Sequence, residues 1–327
     1  MDPITHAVIG LGTAALSGQP VVLTNPIYIG AALGALAPDI DVATHVNPLS
    51  FLKHHRGMSH SLAGITFISL IIAIGLNYCF PAVDFFTCWL WTFLGAFSHS
   101  ILDSLNSYGT QLWWPFLSKK WNASLLMLFD PYLLLLYLVI LFGVPQRYLG
   151  SGVHILVLPG LYLLGRYWMR QTLAGHLRKT LNLCHETRVV VMPARYGFNR
   201  WDFVVDSPKE FILGKINYYG RSISDKINLV KENNAFFEQA LASKVGRFFR
   251  SFTPHLHLEY RRERDKHIVF FRDLRYMERQ MNFLHTATVV INDTYDITAS
   301  YLHPYRQDVS YPVDHQLMVL AESLQGD

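Results

Sequence analysis

The stretch His54-His55-Arg56-Gly57-Met58-Ser59-His60-Ser61 sets three imidazoles, a guanidinium, two hydroxyls and a glycine side by side. Imidazole nitrogens suit borderline divalent ions such as zinc or manganese. A guanidinium can hold a phosphate through two parallel hydrogen bonds. Gly57 allows close backbone approach, and Ser59 is placed to cap a following helix. A loop that only faced lipid headgroups would be expected to use Lys and Arg rather than clustered His. Two further pairs, Asp2/His6 and His99/Asp103, are spaced four residues apart. On a helix this puts both side chains on one face, about 6 Å apart along the axis, where one cation can bridge them. Each pair also has a plainer reading, Asp2 as a helix cap and His99/Asp103 as a hydrogen-bonded pair. Pro38-Asp39-Ile40-Asp41 places two carboxylates two residues apart. Extended chain would send them to opposite faces, a turn would let them converge, and a solvated helix stop is the alternative.

Taken together these motifs nominate Asp2, His6, Asp39, Asp41, His55, His60, His99 and Asp103 as metal ligands, with Arg56 and His60 as catalytic residues. Eight donors exceed the three or four that one catalytic zinc needs, so one or two divalent ions are expected, zinc favoured and manganese or magnesium compatible. Asp130 precedes a proline, an N-terminal helix signal, and is a further ligand only by company. His45 and His154 have no acidic partner at useful spacing and read as structural.

These residues sit in unusual surroundings. Residues 1–175 hold 7 Lys+Arg and 6 carboxylates, all Asp, against 21 and 18 in residues 176–327. Ionisable groups inside so apolar a sequence are costly in a membrane, and mark functional sites by default. The net charge of +4 is too small to argue for nucleic acid, and Cys79, Cys88 and Cys184 form neither a CxxC pair nor a disulfide framework. Met1-Asp2-Pro3 opens with an acid, the wrong start for a cleaved signal peptide, so the N-terminus is expected to be retained.

Uncharged apolar runs at Ser61–Phe80, Phe85–Leu102 and Pro131–Val144 read as transmembrane helices, with Val153–Gly165 a shorter one. Ile4–Leu16 and a segment ending near Ala37 are rich in Gly and Ala, which suits close helix packing in lipid. The expectation is about six spans in residues 1–175, followed by a small cytoplasmic α+β domain in residues 176–327. With six spans, Lys53, Arg56, Lys119, Lys120, Arg166, Arg170, Arg178 and Lys179 fall on one side and Arg147 alone on the other. The positive-inside rule then makes both termini cytoplasmic, in a multi-pass inner-membrane protein. All the metal-ligand motifs fall on that same face, which scattered polar residues would not do.

The order Asp2/His6, Pro38–Asp41, His55–Ser61, Leu94–Asp103, then Leu105–Gly109 and Trp114-Pro115, resembles the YdjM-type family of inner-membrane metal-dependent hydrolases over about residues 1–130. The resemblance implies a polytopic membrane fold and metal-dependent hydrolysis. A looser likeness to zinc-dependent phospholipase C lies in the mixture of His and Asp ligands on helices.

From residue 176 onward, Thr187–Met192, Trp201–Val205, Phe211–Tyr219, His267–Arg272 and Thr286–Ile291 read as strands. Lys231–Phe252 reads as one helix with Phe237, Leu241, Val245, Phe248 and Phe252 on one apolar face, packed on a core or, with Arg247 and Arg250, laid on the membrane surface. Arg261–Lys266 reads as a solvated turn. His255 and His257 alternate on a possible strand, and no catalytic constellation is evident here. The functional expectation is hydrolysis of a lipid-borne ester, a phosphoester above all, at the cytoplasmic face, with membrane lipid as the partner and no protein partner identified. The rival class is a non-catalytic, metal-stabilised scaffold, sensor or transport protein. A cation transporter would put its polar groups near the bilayer midplane, not at one face.

Overall fold

The computed structural model describes all residues except 23, 45–47, 144–147, 149–151, 276, 278–281, 305–308 and 314–327, so His45 and Arg147 lie outside the described residues. The chain divides into two compact units. The first comprises Met1–His45, His54–Leu173 and Met192–Arg200, the second Val46–Lys53, Ala174–Val191 and Trp201–Asp327.

The first unit is helical. Helices α1 (Pro3–Ala14) and α2 (Pro26–Leu36) each begin with proline behind a side-chain cap, Asp2 accepting from the Thr5 N–H and Asn25 from the Ile27 N–H. These are the expected start signals, because proline lacks the N–H that a first turn leaves unpaired anyway. After a short helix, α3 (Pro48–His54), whose residues up to Lys53 belong to the second unit, come the two longest apolar helices, α4 (Leu62–Cys79) and α5 (Phe85–Ser104), then α6 (Pro131–Gly143) and α7 (Leu158–Thr180), the last of which passes into the second unit at Ala174. The packing of α2 on α5 is set by glycine. A Cβ on Gly34 would lie 2.0 Å from the Thr92 carbonyl oxygen, and one on Gly95 would lie 2.1 Å from that of Ala31. The two backbones therefore touch directly, the close approach that small residues permit.

Of the six expected spans, α4 and α5 are long and apolar enough to cross a membrane, while α1 and α6 are shorter apolar helices. The physical reason is length. At 1.5 Å per residue, the 12 residues of α1 and 11 of α2 reach only about 16–18 Å, roughly half of a hydrocarbon core. Helix α7 runs 23 residues, well past Gly165, but carries Arg166, Arg170, Arg178 and Lys179.

The second unit holds two sheets. Strands β1 (Arg188–Pro193), β2 (Arg200–Asp206), β3 (Glu210–Asn217) and β4 (Ile223–Val230) lie in sequence order in one. Strands β5 (Leu256–Glu263), β6 (Lys266–Asp273), β7 (His285–Ile291), β8 (Ile297–Pro304) and β9 (Tyr311–Pro312) form the other, an antiparallel meander. The segment read as a solvated turn is the hairpin joining β5 to β6, paired as far as Glu263 with Lys266. The single helix expected over Lys231–Phe252 is two, α8 (Phe236–Ala242) and α9 (Lys244–Phe252). Ser243 breaks it by leaving helical geometry and accepting the Gly246 N–H as cap of α9. Phe237, Val245 and Phe248 are buried as expected, beside Phe249, against Val269, Phe271, Val289 and Leu302 of the second sheet. Leu52 of α3 belongs to the same core.

Candidate metal centre

Four elements of the first unit bring the chemistry to one place: the 3₁₀ segment after α2 (Ala37–Thr44), the one before α4 (Met58–His60), the last turns of α5 and the start of α1. His60, His99 and Asp103 are fully buried and Asp39 is partly exposed. One donor atom from each lies within 4.8 Å of all the others. The Nε2 atoms of His60 and His99 are 3.1 Å apart. Asp39 Oδ1 lies 3.4 Å from His60 Nε2 and 3.5 Å from His99 Nε2, and Asp103 Oδ2 lies 3.8 Å and 3.9 Å from the same two atoms. Tetrahedral donors at zinc bond lengths would stand about 3.3 Å from one another.

The surrounding hydrogen bonds decide which atoms carry lone pairs. His99 Nδ1 lies 2.6 Å from the Ala35 carbonyl oxygen, which can only accept, so Nδ1 donates and Nε2 is left with its lone pair. Ser59 Oγ donates to Asp41 Oδ2 at 2.8 Å and so accepts from His60 Nδ1 at 2.9 Å, which fixes His60 in the same tautomer. Two lone pairs therefore face each other beside two carboxylate oxygens, an arrangement that repels itself unless a cation lies between them. A proton does not meet the need, because burial pushes the His60 imidazolium down to about 4 against the partly opposing hydrogen bond to Asp39. Both ring nitrogens of His6 are buried without a hydrogen-bond partner among the described residues, and Asp103 Oδ2 is met by the Arg56 guanidinium. The donor set fits a divalent metal on each of these counts, and the Ala35 carbonyl and Ser59 hydroxyl already hold the two imidazoles in the orientation that such ligands need.

Burial pulls the Asp39 carboxyl up, but the imidazoles of His60 and His99 beside it hold it below the usual carboxylate range. Asp103 is held differently. Arg56 Nε lies 2.8 Å from Oδ2, the Met1 amino group pairs with Oδ1, and Asn106 Nδ2 donates to Oδ1 at 3.3 Å. Arg56 also donates from Nη1 to Asn106 Oδ1 at 3.0 Å, and it has a φ of 65°, a conformation uncommon outside glycine. Such backbone outliers gather at functional sites, where the surrounding contacts hold them.

The other nominated ligands are placed as follows. Asp41 and His55 form a second group that shares Asp39 with the first, with His55 Nδ1 2.9 Å from Asp41 Oδ1. Asp41 is already served by Ser59, His55 and, at 3.3 Å, the Arg56 N–H. Burial raises its carboxyl, but the hydrogen bond and charge of His55 hold it below the ordinary value. His6 stacks on His99 with ring centroids 3.6 Å apart, and its Nε2 is 3.4 Å from Asp103 Oδ1. Asp2 stands outside both groups, with Oδ1 taken by the Thr5 N–H and Oδ2 by the Thr5 hydroxyl. Asp130 caps α6 through the Leu133 N–H and receives the Tyr162 hydroxyl. The cap of α4 is Ser61, which accepts from the Gly64 N–H, and not Ser59, which turns inward. Ser59, Asn106 and the Ala35 carbonyl escape sequence reasoning because their types are common, and only the fold brings them to the ligands.

Residues 1–173 match the family model described as YdjM inner membrane protein. The chain belongs to this family. Residues 235–310 match a second model, the YfhP C-terminal alpha/beta plait domain. Among individual relatives, the chain is 30% identical over 315 residues to the uncharacterized protein YfhP of Bacillus subtilis (strain 168), covering 92% of this chain and 94% of that protein. It is 26% identical over 177 residues to the inner membrane protein YbcI of Escherichia coli (strain K12), covering 51% of this chain and 97% of the relative. No solved structure matches the chain. YdjM membership gives the chain an inner-membrane location, and the part matched to that family contains every nominated ligand.

Proposed function

We propose that the protein is a metal-dependent hydrolase of the inner membrane acting on a lipid-borne phosphoester at the cytoplasmic face, with the shorter apolar helices completing a multi-pass domain whose termini are both cytoplasmic. The observation that carries this reading is the pair of imidazole lone pairs 3.1 Å apart, fixed by Ala35 and Ser59, between the carboxylates of Asp39 and Asp103. Asp39, His60, His99 and Asp103 would hold the ion, zinc being favoured by the mixed nitrogen and oxygen donors and manganese or magnesium remaining compatible. When bound, a divalent ion supplies Lewis acidity and makes water acidic enough to ionise near neutral pH.

The chain's own residues do the rest. Arg56 acts as a positioning residue, orienting the Asp103 carboxylate and balancing its charge, rather than as the substrate clamp its type suggested. Asp41 keeps His55 oriented through Nδ1, which suits the partly exposed imidazole to take up and return a proton during ester cleavage. The Asp41 contacts are complete without an ion, whereas those of the first group are not. This favours one metal, with a second shared through Asp39 as the alternative.

The test is to purify the full chain in detergent, measure bound metal, and assay release of phosphate or headgroup from a panel of lipids, with His60→Ala as control. The expected result is about one metal per chain and a hydrolysis that His60→Ala abolishes together with the metal. Stoichiometric metal with no hydrolysis that distinguishes wild type from His60→Ala would favour the scaffold or sensor reading.

A further inference from the structure

The ligand-bearing segments are bordered by apolar side chains that point outward. Ile40, between Asp39 and Asp41, is 64% exposed, and Met58, beside Ser59, is 60% exposed. The segment from residue 110 to 121 adds Trp113, Phe116, Leu117 and Trp121, all exposed, with Phe116 at 89%. This loop is fixed to the site. Thr110 and Trp121 exchange backbone hydrogen bonds at 3.1 Å and 2.9 Å. Gln111 N–H donates to the Arg56 carbonyl at 3.0 Å, Leu62 N–H donates to the Leu112 carbonyl at 2.9 Å, and Lys120 Nζ donates to the His55 carbonyl at 2.8 Å. Gly109, at a φ of +72°, makes the approach possible, since a Cβ there would lie 2.2 Å from the Trp121 carbonyl oxygen. The loop thus stands at the level where α4 begins and α5 ends, the edge of the two helices of spanning length.

Its composition identifies the surface it meets. Tryptophans concentrate at membrane–water interfaces, where an apolar ring with a polar edge is at home. Lys119 and Lys120 lie among them, and the sequence from 104 to 129 holds no acid. Basic residues at that level are attracted to anionic headgroups. Four large apolar side chains exposed in one short loop would be a liability in water, whereas at the headgroup layer they are stabilising.

We propose that residues 113–121, with Ile40 and Met58, form a lip that inserts into the headgroup layer and presents an anionic phospholipid to the Asp39/His60/His99/Asp103 centre. The insertion stands on the loop itself, and the presentation of substrate rests on the hydrolase reading. Two arms separate them. In the first, the full chain is reconstituted in phosphatidylglycerol nanodiscs with benzoylphenylalanine at position 116, and, as control, at Tyr219, which is 68% exposed in the second unit. Illumination should attach lipid at position 116 and none at 219. Attachment at 116 to another protein or to the chain's own second unit, or no lipid adduct at all, would overturn the lip. In the second arm, F116S/L117S should raise the KM for nanodisc phosphatidylglycerol by about tenfold or more, the scale set by losing the burial of two apolar side chains. Cleavage of a short-chain, water-soluble phosphatidylglycerol should fall much less than that of the nanodisc lipid. An unaltered KM would sink the presentation of substrate. If the wild type cleaves neither substrate, the hydrolase reading fails while the crosslink still decides the lip.

Discussion

At the residue scale, Asp2 and Asp103 stand in matching four-residue pairs with a histidine, yet Asp2 caps α1 through the Thr5 N–H and Asp103 faces the imidazoles of His60 and His99. Spacing reports that two side chains share a face; it does not report what the neighbouring helix brings to meet them. This difference gives a paired test. Asp103→Asn should lose bound metal and, by leaving the buried Arg56 side chain without its counter-charge, lower stability by about 3–5 kcal/mol. Asp2→Ala should keep the metal and lose only the cap, about 1 kcal/mol. Metal content by elemental analysis and thermal unfolding of both variants check this, and metal loss on Asp2→Ala would move Asp2 back among the ligands. Ser59→Ala makes a finer cut. It removes the acceptor that fixes the His60 tautomer and touches no ligand atom, so metal affinity should fall roughly 10–100-fold with the fold intact. A chelator-competition titration that leaves the affinity unchanged would mean that His60 is oriented by something else.

At the element scale, hydropathy located the helices α4 and α5 to within a few residues, because an uncharged apolar run of that length is too long for an ordinary strand and reads as helix. The Gly/Ala-rich helices were harder. Their glycines announced close packing, but not that Gly34 and Gly95 set α2 directly on α5 and so bring the Ala35 carbonyl to His99. Gly95→Ala should therefore act at a distance. Its Cβ would press on the Ala31 carbonyl and force the helices apart, costing about 1–3 kcal/mol as overpacking does, and it should also weaken metal binding. A variant with lowered Tm but full metal affinity would show that the helix crossing and the centre are uncoupled. Among the strands, the apolar runs of β1, β2, β3, β6 and β7 were legible, and the polar β4 and mixed β8 were not, since pairing rather than sequence pattern holds them. Strand β2 buries Asp202, and burial outweighs the nearby Lys215 to raise its carboxyl to about 7. Between pH 4 and 7 the folded chain keeps a proton that the unfolded chain has released, so this group's contribution to stability falls as pH rises. Asp202→Asn should match the wild type near pH 4 and gain on the order of 4 kcal/mol by pH 8. Thermal unfolding at both pH values reads the difference, and an equal gain at pH 4 would place its origin elsewhere.

At the scale of the whole molecule, the first unit's long central segment, His54–Leu173, gives way to the second unit at Ala174. What composition could not reveal is that the units exchange segments. Residues 46–53 belong to the second unit although they lie between Asp41 and His55 in sequence, because Leu52 is buried with Phe237, Phe249 and Phe271 while Leu49 and Phe51 pack against the same core. The seven residues of α3 read as part of a loop because their partners lie nearly two hundred residues away, beyond the reach of any local pattern. The consequence is a stability effect in one unit from a substitution in sequence that otherwise belongs to the other. Leu52→Ala should open a cavity in the core under the second sheet and cost about 2–5 kcal/mol. Hydrogen exchange should then show faster opening of β6, β7 and β8, while α4 and α5 keep their protection. If exchange in those strands is unchanged, α3 is not part of that core. If α4 loosens with the sheet, the segment that carries Leu52 toward His55 passes strain from one unit to the other.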